Sequence, residues 1–332
     1  MSDRVLVTGA SGFVGRVLCK RLQTEGNTVI GVTRGAVDVA RHAVPQVFEW
    51  RQADFNQPAN IDWTELLHGT GSIVHLAAQV HVIRKQTKLF GEAYQVVNCE
   101  STVRLAQAAA QAKLKRFVFV SSAKASGKLV DNDSPKTPID DSRSRVSAQE
   151  DPYGHSKWEA EKALLGLMKS TDLRLVILRP PLVYGPGVKA NFARLLRLAQ
   201  WRVPFPFAAV RNARSLIYVD NLVDAIMSCR TDLAAVGQTF PVCDTTISTT
   251  ELFSAISNAI GVSPRLWAVP PQILKSLGKL LRKETEFARM FDSLIVDAQG
   301  IKKQLGWVPQ VKFEVGLLAT VQWFLSEQQQ TP

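Results

Sequence analysis

Asp151 to Lys157 reads D-P-Y-G-H-S-K and sets Tyr153 four positions before Lys157. If Pro152 opens a helix, its fixed φ suiting a first turn, residues four apart stand on one face. The Lys157 ammonium can then act on the Tyr153 phenol. A free phenol ionises near pH ~10, and a fixed positive charge nearby favours phenolate, which brings proton transfer within reach of neutral pH. Y-x-x-x-K is also a common surface pattern. The pair gains meaning from what the rest of the chain places around it.

Such a pair needs a nucleotide cradle before it and an anion-binding half after it. Arg4 to Thr8 is a short apolar run ending at Gly9, and Gly12 to Glu25 carries Phe13, Val17, Leu18 and Leu22 at helical spacing. Strand, glycine turn and helix follow in the order a dinucleotide site needs, with Gly9, Gly12 and Gly15 allowing close backbone approach to a pyrophosphate. A second strand, Thr28 to Val32, runs into Thr33-Arg34-Gly35. An acid near this place accepts hydrogen bonds from a ribose 2′-hydroxyl, whereas an arginine favours a 2′-phosphate. The expectation is therefore NADP(H) with Arg34 as clamp and Thr33 as hydroxyl partner, while Asp38 further along keeps NAD(H) open.

Further strands are expected before Ala53-Asp54-Phe55, over Ser72 to Leu76, over Arg116 to Ser121 and over Leu173 to Leu178. A long helix is expected from about Phe90 to Ala112, and a polar, proline-bearing loop over Gly127 to Glu150. Strongly apolar strands alternating with helices imply an α/β protein with a Rossmann-type, doubly wound parallel sheet. We expect a nucleotide-binding domain over 1–180 and a smaller mixed α/β substrate-binding region over 181–332, partly interleaved with it.

T-G-A-S-G-F-V-G together with the later Tyr153 and Lys157 resembles the extended short-chain dehydrogenase/reductase superfamily. The resemblance implies that Ser11, Phe13 and Val14 line the cofactor turn, that Asp54 and Phe55 meet the adenine, and that Leu76-Ala77-Ala78 and Pro180 run beside the cofactor. It makes Asn98 a structural or relay residue and Ser122 the third catalytic residue, with Ala123 and Lys124 next to substrate. Lys124 and Ser126 depart from the small residue or tyrosine frequent in relatives. Lys124 therefore reads either as an anion contact or as a solvated lysine.

R-P-P-L-V-Y-G-P-G-V-K-A-N-F, from Arg179 to Phe192, resembles a segment of enzymes acting on nucleotide sugars, which implies that Asn191 and later Arg214 hold a diphosphate. Leu182 departs from an asparagine common there. Helices around L-G-W-x-P, over Asp297 to Trp307 and Phe313 to Leu325, close the chain as in that superfamily.

Forty Lys plus Arg against 29 Asp plus Glu give a net charge of +11, spread without a basic tail or an aromatic-interleaved stripe, so nucleic acid is not an expected partner. Cys19, Cys99, Cys229 and Cys243 form no CxxC pair, and His75 and His81 lack carboxylate partners, so neither a disulfide framework nor a metal site is expected. No export signal and no apolar run of ~20 residues is present, which points to a cytoplasmic setting. A basic amphipathic helix over Pro271 to Lys283 is expected to pack on the core or meet a membrane surface. A homodimer is a family expectation.

The resemblance covers nearly the whole chain and lies nearest to bacterial 4-epimerases and 4-ketoreductases of nucleotide sugars. The first expectation is NADPH-dependent reduction of a UDP-4-keto-6-deoxy-N-acetylhexosamine, forming UDP-N-acetylquinovosamine for polysaccharide. In that reaction Tyr153 gives the proton, Ser122 orients the carbonyl, and Lys157 holds the nicotinamide ribose and lowers the tyrosine pKa. The alternative is a UDP-hexose or UDP-N-acetylhexosamine 4-epimerase with tightly held NAD. A binding-only dinucleotide sensor is disfavoured because Ser122, Tyr153 and Lys157 are all present.

Overall fold

Alternation along the first strand decides how the molecule layers. In β1 (Arg4–Thr8) Val5 and Val7 face one hydrophobic cluster while Leu6 faces another, as the two-residue period of a strand requires. β4 (Ser72–His75), β5 (Arg116–Val120) and β6 (Leu175–Arg179) divide the same way, with Val74, Val118 and Val176 on one side and Ile73, Phe117 and Ile177 on the other. A sheet buried on both faces needs helices on both. The computed structural model describes residues 3–80, 89–126, 151–270, 272–274, 276 and 291–329.

With β2 (Thr28–Thr33), β3 (Glu49–Gln52) and β9 (Thr239–Pro241), the strands form one parallel sheet of seven, ordered β3-β2-β1-β4-β5-β6-β9. Helices α1 (Phe13–Thr24) and α8 (Val219–Thr231) cover one face, while α5 (Ser101–Gln111) and α6 (Pro152–Ser170) cover the other. Strand order reverses between β1 and β4, the crevice where ligands bind in such sheets. The C-terminal part returns to this sheet through β9 and α8, across position 180.

A second sheet, β10-β8-β7, comprises β7 (Leu182–Tyr184), β8 (Arg214–Tyr218) and β10 (Thr245–Ile247), with β7 parallel and β10 antiparallel to β8. Its core is a third cluster built from Phe192 and Leu196 of α7 (Ala190–Gln200), Phe253 and Ile256 of α9 (Thr249–Ile260), and Leu317 and Val321 of the helix Phe313–Gln329. The L-G-W-x-P segment locks this part to α8. Gly306 ends the helix Gln299–Leu305 in the left-handed region at φ +65°, and Trp307 Nε1 then donates to Asp224 at 3.0 Å.

The bounds of one expected helix and three expected strands are revised. The long helix is divided: α4 (Leu89–Tyr94) runs through a π-helical segment, Gln95–Glu100, into α5. The fourth strand stops at His75, the fifth at Val120, and the sixth covers Leu175–Arg179. His81, the loop Gly127 to Glu150 and most of Pro271 to Lys283 lie outside the described residues.

Candidate active site

Gly9 leaves β1 at φ +70°, and a Cβ there would lie 3.0 Å from the Ala77 nitrogen. A Cβ on Gly15 would come within 2.2 Å of the Gly9 carbonyl, so α1 packs against the turn only through glycine. Gly12 caps α1 with no side-chain hydrogen bond, and Ser11, Phe13 and Val14 flank it at the start of the helix. The first-turn N–H groups therefore remain for an anion, which fits a dinucleotide pyrophosphate.

Behind this turn lies a buried hydrogen-bond chain whose direction is fixed. Thr102 Oγ1 donates to the Asn98 carbonyl at 2.9 Å, so at 2.9 Å it accepts from His75 Nε2. His75 Nδ1 then carries no proton and accepts from Thr8 Oγ1 at 2.7 Å, while Thr8 Oγ1 accepts from the Leu76 and Ala77 nitrogens, each at 3.1 Å. Burial first, and the Lys157 charge second, push His75 down to about 3, so it is neutral. Among the described residues no group of three His, Cys, Asp or Glu side chains could hold a metal.

Asn98 sits fully buried in the π-helical segment. Its amide oxygen accepts from Gln79 N at 2.8 Å, and its Nδ2 donates to Gln79 O and to Ser156 Oγ, each at 3.0 Å. Ser156 Oγ donates in turn to the Tyr153 carbonyl at 2.8 Å. The loop after β4 is thereby tied to α6.

Helix α6 begins as its sequence implies. Asp151 is the N-cap and accepts from Gly154 N at 3.1 Å, and Pro152 occupies the first turn. The Tyr153 hydroxyl is hydrogen-bonded with Ser122, which follows β5. Burial pushes Tyr153 up to about 12; the Ser122 bond opposes this, and Asp151 and Tyr94 add to it. The residue keeps part of its surface exposed.

The Lys157 ammonium donates to the Val120 carbonyl at 3.0 Å and lies over the Phe119 ring, 4.5 Å from the centroid. Lys157 is 1% exposed, and this burial brings it down to about 7 against the raising charge of Glu161. Glu161 is held by a forked Arg179 guanidinium, with Nε at 3.1 Å from both carboxylate oxygens and Nη2 at 2.5 Å from one.

Tyr94 and Glu161 are additions to the sequence reading. The Tyr94 ring stands edge-on to Tyr153 with centroids 6.2 Å apart, and its hydroxyl donates to the Val80 carbonyl at 3.2 Å. Glu161 was legible as the next residue along the Tyr153–Lys157 face, whereas nothing local to Tyr94 pointed to α6.

The remaining expected positions are distributed around this centre. Arg34 is exposed at the end of β2, and Thr33 Oγ1 accepts from Gly35 N at 3.2 Å. Asp38 lies on α2 (Val37–Ala43), largely exposed, 3.8 Å from Arg41. Asp54 accepts from the Asn56 backbone at 3.0 Å and its side-chain amide at 2.6 Å, and the buried Phe55 stacks on Trp63. Ala123 N donates to the Pro180 carbonyl at 2.9 Å, joining the turn after β5 to the end of β6.

Lys124 is paired with Asp151 at 2.7 Å, so its charge steadies the start of α6, a partner the sequence reading did not give it. A Cβ on Gly187 would lie 3.4 Å from the Phe13 ring, which brings the V-Y-G-P-G segment against the glycine turn. Asn191 is exposed in the first turn of α7, whose N-cap Lys189 makes no side-chain cap bond. Arg214 is half-buried at the start of β8.

The profile of the NAD dependent epimerase/dehydratase family matches residues 5–242. The chain belongs to this family. A UDP-glucose 4-epimerase of Vibrio cholerae is 38% identical over 333 residues, covering 98% of this chain and 96% of that protein. A UDP-glucose 4-epimerase of Mycolicibacterium smegmatis is 32% identical, covering 98% and 100%. Among solved structures, MoeE5 in complex with UDP-glucose and NAD superposes with a TM-score of 0.74 at 24% identity, covering 98% of this chain and 100% of that one, a likeness of fold. The UDP-N-acetylquinovosamine reductase expectation finds no counterpart among these relatives, and the epimerase alternative is the better supported.

Proposed function

We propose that this protein is a UDP-hexose 4-epimerase that works with retained NAD. The convergence of Ser122, Tyr153 and Lys157 carries the reading: Ser122 at the end of β5 holds down the Tyr153 hydroxyl, and Lys157 lies against Val120 and Phe119 of the same strand, two strands from the glycine turn. Two full-length relatives named UDP-glucose 4-epimerase, and a neighbour of the same fold solved with UDP-glucose and NAD, support the substrate and cofactor class.

NAD, when bound, supplies the hydride acceptor and donor for the sugar C4. The protein's residues then manage the proton. Tyr153 Oη, as phenolate, would take the C4 hydroxyl proton and later return it to the same oxygen, while Ser122 holds that oxygen; the buried phenol must first shed its own proton, which a cationic Lys157 one turn along α6 would favour. Lys157 spends one of its three N–H donors on the Val120 carbonyl, and the remaining donors suit ribose hydroxyls. Asn191, at the uncapped start of α7, and Arg214 would hold the diphosphate.

Arg34 favours a second reading, an NADPH-dependent 4-keto reductase, since no acid follows β2 before the exposed Asp38. The protein as purified separates the two. Release of bound NAD on denaturation, with interconversion of UDP-glucose and UDP-galactose and no added cofactor, supports the epimerase. Stoichiometric loss of 340 nm absorbance from NADPH with a UDP-4-keto sugar, and no interconversion, sinks it.

A further inference from the structure

We propose that the tip of the smaller lobe, formed by Trp201 to Val203, Arg265 to Pro270 and Ile273, docks on an anionic lipid bilayer. Three backbone hydrogen bonds tie the chain that follows the first segment to the second: Phe205 N to Arg265 O at 2.8 Å, Trp267 N to Phe205 O at 2.9 Å, and Ala208 N to Trp267 O at 3.1 Å. The floor beneath them is rigid, with Phe205 stacked on Phe253 at 4.2 Å. From this floor large apolar side chains stand into solvent, Trp201 at 68%, Trp267 at 59% and Ile273 at 57% exposure. Large exposed aromatics on either side of this backbone pairing suit an interaction surface, and indole suits the headgroup layer, where a ring and a polar N–H are both accommodated.

Charge selects the partner. No acid lies in the sequence between Asp172 and Asp220 or between Glu251 and Ile273. Arg202 and Arg265 are exposed beside the tryptophans. Neither forms an ion pair among the described residues, as expected of a face that meets negative charge. α7 ends here in a Schellman turn, with Arg202 N to Ala199 O at 3.0 Å and Val203 N to Leu198 O at 3.1 Å. The residue at φ +55° is Arg202, where glycine is the usual occupant. That choice costs backbone strain and places a cation between two exposed apolar side chains. The face is one helix length, ~15 Å, from Asn191 at the other end of α7.

Co-sedimentation of the full chain with phosphatidylcholine vesicles, with and without phosphatidylglycerol, tests this. The expected result is partition onto the phosphatidylglycerol vesicles, reversed by high salt. Losing both cations in R202Q/R265Q weakens partition on the order of 30-fold. W201S/W267S abolishes the vesicle-induced blue shift of indole fluorescence. Equal or absent partition of the wild type on both vesicle types overturns the proposal, as does partition unchanged in both variants. Sedimentation equilibrium showing a wild-type dimer that W201S/W267S dissociates also overturns it, because the face then serves a second copy.

Discussion

Replacing Glu161 by Gln probes the support beneath the buried Lys157. Glu161 and Arg179 have side chains 2% and 8% exposed, and the guanidinium binds the carboxylate through both Nε and Nη2. Removing the carboxylate charge leaves a buried cation uncompensated, which costs about 3–5 kcal/mol. With an unfolding entropy of about 2.1 cal/mol/K per residue, 332 residues unfolding as one unit lose about 0.7 kcal/mol per degree. Thermal unfolding by circular dichroism should therefore show a midpoint about 4–7 °C lower. Glu161→Leu with Arg179→Met removes both charges and should recover most of that loss, since Lys157, already brought down to about 7, can shed its own proton. Glu161 is also the charge that raises Lys157, so the single variant should move the alkaline limb of the pH–rate profile to lower pH. A midpoint within 1 °C of wild type, or a double variant less stable than the single one, refutes the reasoning.

Tyr153→Phe should lower kcat by about 10²–10⁴-fold while bound nucleotide, measured after denaturation, stays at the wild-type level. Turnover near the wild-type rate removes Tyr153 from the chemistry. Gly15→Ala puts a methyl group 2.2 Å from the Gly9 carbonyl, so it should cost about 1–3 kcal/mol and strip the protein of dinucleotide; retention of both stability and nucleotide contradicts the close packing of α1. Stability should rise from about pH 7 to about pH 8.5, because in that window unfolded Lys157 keeps its proton while the folded one releases it near 7. The rise is at most ~1.4 kcal/mol per unit, it should vanish in Lys157→Met, and denaturant titrations at a series of pH values measure it. Arg34→Glu should raise the affinity for NAD over NADP in fluorescence titrations if Arg34 lies beside the ribose, and an unchanged ratio dismisses that position.

Much of the fold was legible because its signals are local. Apolar runs marked β1, β2, β4, β5 and β6 of the parallel sheet to within a residue or two, while the three-residue β9 went unread, and the glycine turn, the proline-opened α6 and the L-G-W-x-P closure stand where their residue types put them. The misses share a different physical origin. The π-helical segment at Gln95–Glu100 follows from an Asn98 amide bonded to Gln79 and Ser156, partners 19 and 58 residues away, which no periodicity reports. Lys124 finds its carboxylate 27 residues on, in Asp151. The tyrosine–lysine pair was legible as a spacing, yet its electrostatics were not: an i,i+4 pattern cannot reveal that the ammonium turns toward a strand carbonyl and an aromatic ring.

That orientation gives the buried chain behind the cofactor turn its significance. Thr8, His75, Thr102 and Asn98 connect the Gly9 turn to the Gln95–Glu100 segment, and Ser156 carries the connection into the backbone of Tyr153. Every link has a fixed donor, because Thr102 has one hydroxyl proton and gives it to Asn98, which fixes the tautomer of a histidine too buried to take a second proton. A chain without rotational alternatives holds the loop after β4 and the first turn of α6 in one relation to each other. In the proposed epimerisation the phenol would need that constancy, because a single Oη, fixed relative to the glycine turn, would handle the proton both when it leaves C4–OH and when it returns.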